Sequence, residues 1–261
     1  MERIGVICWL LFLLAIQSKA QEISAEHYTS IHRALVRGDS TQKNISLVFT
    51  GDQFADGGSY LHQLLKKEKI SASFFFTGNF YRNPKFNRLI KKLVRNGHYL
   101  GAHSNKHLLY CDWTQRDSLL VTQEEFSVDL LENYWEMAKY GIERKDAPYF
   151  LPPYEWYNNT IATWTQELGF TLVNMTHGTL SHADYTTPNH NNYRSSKIIL
   201  ESIIDYEERN CRGLNGFLLL VHIGTDPART DKFYHYLPSL IAHLKNKGYQ
   251  FTTVTQLLPQ H

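Results

Sequence analysis

The chain has 261 residues, 43% of them hydrophobic and 20% charged, with a formal net charge of +2. An aromatic share of 13% excludes a disordered chain, since disorder goes with few aromatics and high net charge. The balance of 27 Lys and Arg against 25 Asp and Glu, with no block of five or six basic residues, gives no electrostatic case for nucleic-acid binding. The length suits one well-buried core.

The first twenty residues read as a leader. Arg3 precedes an apolar run from Ile4 to Ile16, and Gln17-Ser18-Lys19-Ala20 comes next. A basic start, roughly a dozen apolar residues and a small-residue exit make a secretory signal, and the run is short of the about 20 apolar residues that a membrane span needs. The expectation is a cleaved signal over residues 1–20, a secreted or periplasmic protein, and no stable membrane insertion after cleavage. Cleavage removes Cys8 and leaves Cys111 and Cys211, which in an oxidising compartment could pair or could equally stay as two buried thiols. Asn44, Asn158 and Asn174 each open an Asn-x-Ser/Thr acceptor pattern, which matters where the host glycosylates.

Residues 21–44 read as a leading segment, and one domain is expected over residues 45–261. Strands are predicted at Ile45–Thr50, Ala72–Phe76, His98–Ala102, Pro148–Leu151, Thr171–Asn174, Phe217–His222 and Gln250–Val254. Helical spacing lies between them. Asn83 and Pro84 open one helix that exits at Gly97. Thr122-Gln-Glu-Glu125 is a capping box for a second, running to Gly141. Asn159–Leu168 and Lys232–Lys247 each stop at a glycine. The polar stretch Thr176–Ser195 reads as a long loop. Alternating strands and helices mean a parallel sheet with helices outside. Local pattern leaves a closed barrel and an open sheet both standing, and in either the site lies beyond the strands' C-terminal ends.

The residues just past each strand are therefore informative. Gly51-Asp52 and then Asp56-Gly57-Gly58 come after the first, His103-Ser-Asn-Lys-His107 after the third, and Pro152-Pro153-Tyr154-Glu155-Trp156 after the fourth, while His222 ends the sixth. Two imidazoles and a carboxylate make a mononuclear metal site with open positions for water and substrate.

In these blocks the chain resembles a family. Leu-Val-Phe-Thr-Gly-Asp52, Ser71-Ala-Ser-Phe-Phe-Phe-Thr-Gly78, Asn96-Gly-His-Tyr-Leu-Gly-Ala-His-Ser-Asn-Lys-His107, Pro152-Pro153-Tyr154, Leu-Leu-Leu-Val-His222 and the run from Leu237 to Tyr249 are similar to those of polysaccharide deacetylases, the NodB-homology or carbohydrate esterase family four proteins. The resemblance implies a distorted seven-stranded β/α barrel. It implies a divalent metal, usually zinc, held by Asp52, His103 and His107. It also implies a hydrolase in which a metal-bound water attacks an N- or O-acetyl group of a carbohydrate substrate. A backbone N–H in the Tyr154 region would help hold the oxyanion, and His222 would protonate the leaving group.

Two positions depart from the family pattern. Gly51 stands where the family has its general-base aspartate, and Leu151 where it has the arginine that orients that base. A register placing Phe54-Ala-Asp56 on the first block also lacks the base; Asp52 is preferred because it comes directly after the strand. Asp56 and Glu155 are candidates for a replacement base. Asp184-Tyr185 sits where the family often has an Asp-Trp pair that supports the acid histidine. Tyr154, Trp156 and Tyr185 are candidate sugar platforms, and His177, His182 and His190 read as loop polars. The alternative to a working enzyme is a catalytically retired, metal-containing module that binds glycan.

Overall fold

The computed structural model describes residues 27–259; the expected signal lies outside them. The chain runs β1 (Thr29–Ile31), β2 (Ala34–Arg37), β3 (Asn44–Gly51), α1 (Gly58–Glu68), β4 (Ser73–Phe76), α2 (Gly78–Arg82), α3 (Asn87–Arg95), β5 (Tyr99–Ala102), α4 (Gln123–Ala138), β6 (Tyr149–Phe150), α5 (Asn159–Glu167), β7 (Thr171–Leu172), α6 (Ser196–Arg209), β8 (Phe217–His222), α7 (Leu237–Asn246), β9 (Gln250–Phe251) and α8 (Val254–Leu257). The sheet order is β1-β2-β8-β3-β4-β5-β6-β7, with β9 also on β3. All seven expected strands are present, and they pair in parallel.

Sequence explains the centre of this sheet. A parallel strand covered on both faces reads as an unbroken apolar run. Phe74-Phe-Phe76 and Phe217-Leu-Leu-Leu-Val221 are such runs, buried along their whole length. Each large side chain taken fully from water there contributes about 1.5–3 kcal/mol.

The segment expected to lead into the domain instead completes the sheet. β1 and β2 form an antiparallel hairpin. Arg37 pairs with Phe217 of β8, and a bridge joins Leu35 to Val173 just past β7. β2 thus lies between the two ends of the curled parallel sheet and ties them together.

The helices obey their caps. Thr122 and Glu125 form the expected capping box of α4, and Gly97, Gly141, Gly169 and Gly248 all come after helices with positive φ, as C-terminal stops require. Four helices go beyond the sequence pattern: α1, the short α2, α6 and the short α8. Ser195 caps α6 through Ile198 N at the end of the long polar loop, and α8 begins at Val254, where the strand expected over Gln250–Val254 has already ended at Phe251. Among the described residues no helix is long and apolar enough to cross a membrane.

Cys111 is buried and Cys211 exposed, and neither is in a disulfide. Burial pushes the Cys111 thiol up to about 11, which keeps it an unreactive packing residue. Two of the three glycosylation patterns are closed. Asn174 is fully buried and donates to Glu155 O at 2.8 Å, and Asn158 caps α5 while donating to Arg116 O.

Candidate functional site

The register of the parallel strands puts the candidate residues on one rim. Gly51 pairs with Phe76, Thr50 with His222, Phe76 with Ala102, and Ala102 with Phe150. Asp52, Thr77, His103, Leu151 and His222 therefore stand at the same level, and backbone bonds such as His103 N to Phe76 O at 3.2 Å and Leu151 N to Ala102 O at 3.1 Å carry the ladder past the strand ends.

The His103–His107 loop is held from α4. Asn133 and Asp129, one helical turn apart, face inward and are buried. Asn133 Oδ1 accepts from His103 N at 2.9 Å. The Asp129 carboxylate accepts from Asn105 N, Lys106 N and the Tyr110 hydroxyl. Gly78 lets this loop come close, since a β-carbon there would lie 1.8 Å from Asn105 Oδ1. The loop is also strained: Ser104 and His107 adopt φ of 72° and 58°. Non-glycine residues in that region cost of order 1–3 kcal/mol each and cluster at functional sites.

These bonds fix what each donor can offer. His103 Nδ1 donates to Leu151 O at 2.8 Å, which leaves Nε2 with its lone pair. Burial, with His107 beside it, holds the His103 imidazole well below its ordinary range, hence neutral. Burial also lowers His107, against the pull of the Asp52 carboxylate; the two rings are 5.2 Å apart. Asp52 Oδ1 accepts from the Thr77 hydroxyl at 2.7 Å and from Asn79 Nδ2 at 3.3 Å, and among the described residues Oδ2 has no such bond. Two neutral imidazoles and a carboxylate with an oxygen free are the donor types and protonation states that zinc or a related cation takes. They fit by chemistry rather than as a closed cage, because among the described residues no three His, Cys, Asp or Glu side chains form a ligand group as they stand.

Opposite them is a second cluster. Asp184, buried in the long loop, takes His222 N at 2.9 Å on Oδ2 and His222 Nδ1 at 2.6 Å on Oδ1. Burial works to lower His222, but the Asp184 carboxylate outweighs it and the net direction is upward. Glu155 faces the same pair. Burial and the Asp184 charge push its carboxyl up, His222 opposes them, and it settles at about 7. No described residue forms a hydrogen bond to that carboxyl. Tyr154 and Glu155 are consecutive left-handed residues, with φ of 60° and 54°, so this turn too carries strain.

Aromatic side chains border the cleft. Tyr154, 43% exposed, packs edge-on against His107 at 4.4 Å, and Tyr185, 44% exposed, lies 5.4 Å from His222. Trp156 is less free. It donates to Asp112 O, and the Arg116 guanidinium covers its face at 3.5 Å. Trp113, which belongs to none of the sequence motifs, is 54% exposed and contacts both Tyr154 and Trp156. The sequence does carry a signal for it: a tryptophan six residues past His107 on a loop leaving the rim.

Asp56 faces elsewhere. Its Oδ1 accepts from Thr225 N at 2.8 Å, its Oδ2 from the Tyr234 hydroxyl at 3.1 Å, and Lys232 Nζ pairs with it at 3.1 Å. The carboxylate fastens the loop after β3 to the loop after β8. At Gly51 the side-chain space is already filled. A β-carbon there would lie 2.8 Å from Ile223 Cγ2 and 3.0 Å from rings of Phe76 and Phe80.

The family model for polysaccharide deacetylase matches residues 37–173. A peptidoglycan-N-acetylglucosamine deacetylase of Bacillus cereus is 26% identical over 197 residues, covering 75% of this chain and 78% of that protein. In fold, the chain is similar to a family 4 carbohydrate esterase pseudoenzyme from Bacillus anthracis, with a TM-score of 0.67, 16% identity and coverage of 88% of this chain and 70% of that one; a mutant of that protein has restored enzymatic activity. It is also similar to a family 4 acetyl xylan esterase from Clostridium thermocellum in complex with a cobalt ion, with a TM-score of 0.63, 20% identity and coverage of 83% and 93%.

Proposed function

The chain belongs to the polysaccharide deacetylase family, and from that premise we propose that it removes acetyl groups from a carbohydrate outside the cytoplasm. In this reading Asp52, His103 and His107 hold a divalent cation, zinc by donor preference. Once bound, the cation supplies Lewis acidity, polarising the acetyl carbonyl and making water a nucleophile near neutral pH.

The remaining work falls to the chain's own side chains. Tyr154 and Tyr185 flank the sugar ring, with Trp113 extending the apolar border. The Glu155 and Trp156 amides are taken by Pro152 and Pro153 carbonyls, which leaves the Tyr154 amide for the oxygen that gains charge. Glu155 receives the proton of the attacking water, replacing the carboxylate that Gly51 lacks. His222, kept protonated and aimed by Asp184, gives a proton to the departing amine or alkoxide.

One observation carries this assignment: a carboxyl group without a hydrogen bond of its own, poised at about 7, beside a histidine that a buried aspartate holds at two points. Two titratable groups set apart by their surroundings are what acid–base catalysis at neutral pH needs.

The experiment is acetate release by zinc-loaded protein with and without chelator, on chito-oligosaccharides, peptidoglycan fragments and acetylated xylan. Chelator-sensitive release that Glu155→Gln abolishes supports the reading. The filled space at Gly51 favours a second reading, a retired module that binds glycan through the same residues. Zinc retention and saturable glycan binding without acetate release would establish that one.

A further inference from the structure

No Asp or Glu occurs between Glu68 and Asp112, and the cations of that stretch gather on the outside of α3. Arg88, Lys91, Lys92 and Arg95 recur at i, i+3, i+4 and i+7, which is one face of a helix. The opposite face carries the buried Ile90 and Leu93. Like charges at these spacings destabilise a helix, and no carboxylate of the described residues pairs with any of the four.

The patch extends in two directions. Towards α1, His62 makes a side-chain hydrogen bond with Asn96 at 3.0 Å. The charges of Lys92 and Lys66 both reach His62, adding to the burial that lowers it, so α1 and α3 present their cations on the same side. Towards the rim, Lys85 lines a cavity of about 560 Å³ together with Gln53, Phe54 and Phe86, and Gln53 is the residue after Asp52.

We propose that the outer faces of α1 and α3 form a docking track for an acidic polysaccharide, along which a polymer engaged at the rim continues. This rests on the deacetylase reading for its choice of a glycan. The charge suits an anionic partner, and Lys85, just before α3, shares a cavity at the rim with Gln53. A membrane surface suits it less well. Interfacial helices present an apolar face next to their cations, whereas none of the exposed large hydrophobic side chains lies on α1 or α3.

The test is equilibrium binding of polygalacturonate, which carries no acetyl groups, so that the outcome does not depend on catalysis. Dextran sulfate, neutral dextran, phosphatidylglycerol vesicles and duplex DNA are the comparison probes. The track predicts binding to both acidic polysaccharides and none to dextran, with affinity falling about tenfold or more between about 50 and 200 mM salt. The fourfold variant Arg88→Gln, Lys91→Gln, Lys92→Gln, Arg95→Gln should lose about tenfold or more at low salt while melting no lower than the parent, since like-charge pairs have been removed. Polygalacturonate binding that is absent, insensitive to salt or unchanged in the variant overturns the proposal. So does tighter binding of vesicles or DNA than of the acidic polysaccharides. Intact binding with no acetate release from any acetylated glycan leaves the track standing and overturns the deacetylase reading alone.

Discussion

On the loop after β3, Asp56 is bonded by Thr225, Tyr234 and Lys232; on the loop after β6, Glu155 carries no such partner and sits at about 7 beside His222. Both are carboxylates on loops leaving the same rim. The Asp56 oxygens are taken up by a backbone amide, a hydroxyl and an ammonium, whereas the Glu155 carboxyl, raised mainly by burial, has both oxygens open among the described residues and still ionises near neutrality. Position at the rim made both candidates; what surrounds each oxygen separates them.

The contrast is most open to attack through rates. Glu155→Gln should lower kcat by about 10²–10⁴-fold, the usual worth of a positioned proton acceptor, and a variant of unchanged rate would break the assignment. The same pair of proteins reads out pH. In the parent, activity should rise through about pH 7 as Glu155 ionises and fall again above the ordinary histidine range as His222 loses its proton; Glu155→Gln should lack the rising limb. Stability runs with the opposite sign. Because the folded carboxyl is raised, its ionisation costs the folded state as pH climbs from its unfolded range through about 7. The glutamine variant should therefore melt above the parent at about pH 8 and level with it at about pH 4.

Asp184→Asn comes next. Losing the charge behind His222 should cost roughly tenfold to a hundredfold in kcat, in line with other orienting partners, and move the falling limb of the pH profile to lower pH. An unmoved limb would detach Asp184 from proton transfer. Gly51→Asp addresses the position at which the family resemblance would place a carboxylate. It should cost about 1–3 kcal/mol by overpacking against Ile223, Phe76 and Phe80, with no gain in rate. A faster, equally stable Gly51→Asp would show that the space can open and would weaken the case for Glu155. The smallest effect belongs to Asp56→Asn. It should lose about 1 kcal/mol in denaturant unfolding from one weakened loop contact and keep kcat within about threefold; a collapse in kcat with stability intact would return Asp56 to the chemistry.

Much of this is legible in the sequence because parallel strands end together. Once Ile45–Thr50, His98–Ala102 and Phe217–His222 are read as strands of one parallel sheet, Asp52, His103 and His222 must share a rim, and the parallel register holds them there. What escapes depends on distant partners. β1 is three exposed residues, too short and too solvated for a period. Asp129 and Asn133 look like ordinary polar helix positions until the His103–His107 loop folds onto them. Asp56 reads as a turn residue before two glycines, and its partners Thr225 and Tyr234 lie 169 and 178 residues away. Arg229, fully buried, shows the same limit. It donates to Thr186 O, Arg194 O and Ser196 Oγ and so pins the end of the loop carrying Asp184, a function that no local pattern announces.

The hairpin that completes the sheet has a consequence for how the chain reaches this state. Arg37 donates to Asn215 O across 178 residues and Thr176 donates to Val36 O across 140, while β3, β4 and β5 are consecutive in the chain. Contacts so remote carry a large loop-closure cost and slow folding. The β3–β4–β5 layer can therefore assemble early, whereas β2 waits for β8. Until β8 arrives, one side of β3 is an unpaired edge lined by apolar residues, the kind that templates pairing between molecules. A chain ending before Phe217 should therefore aggregate more than the same chain extended through His222, in which β8 covers that edge of β3.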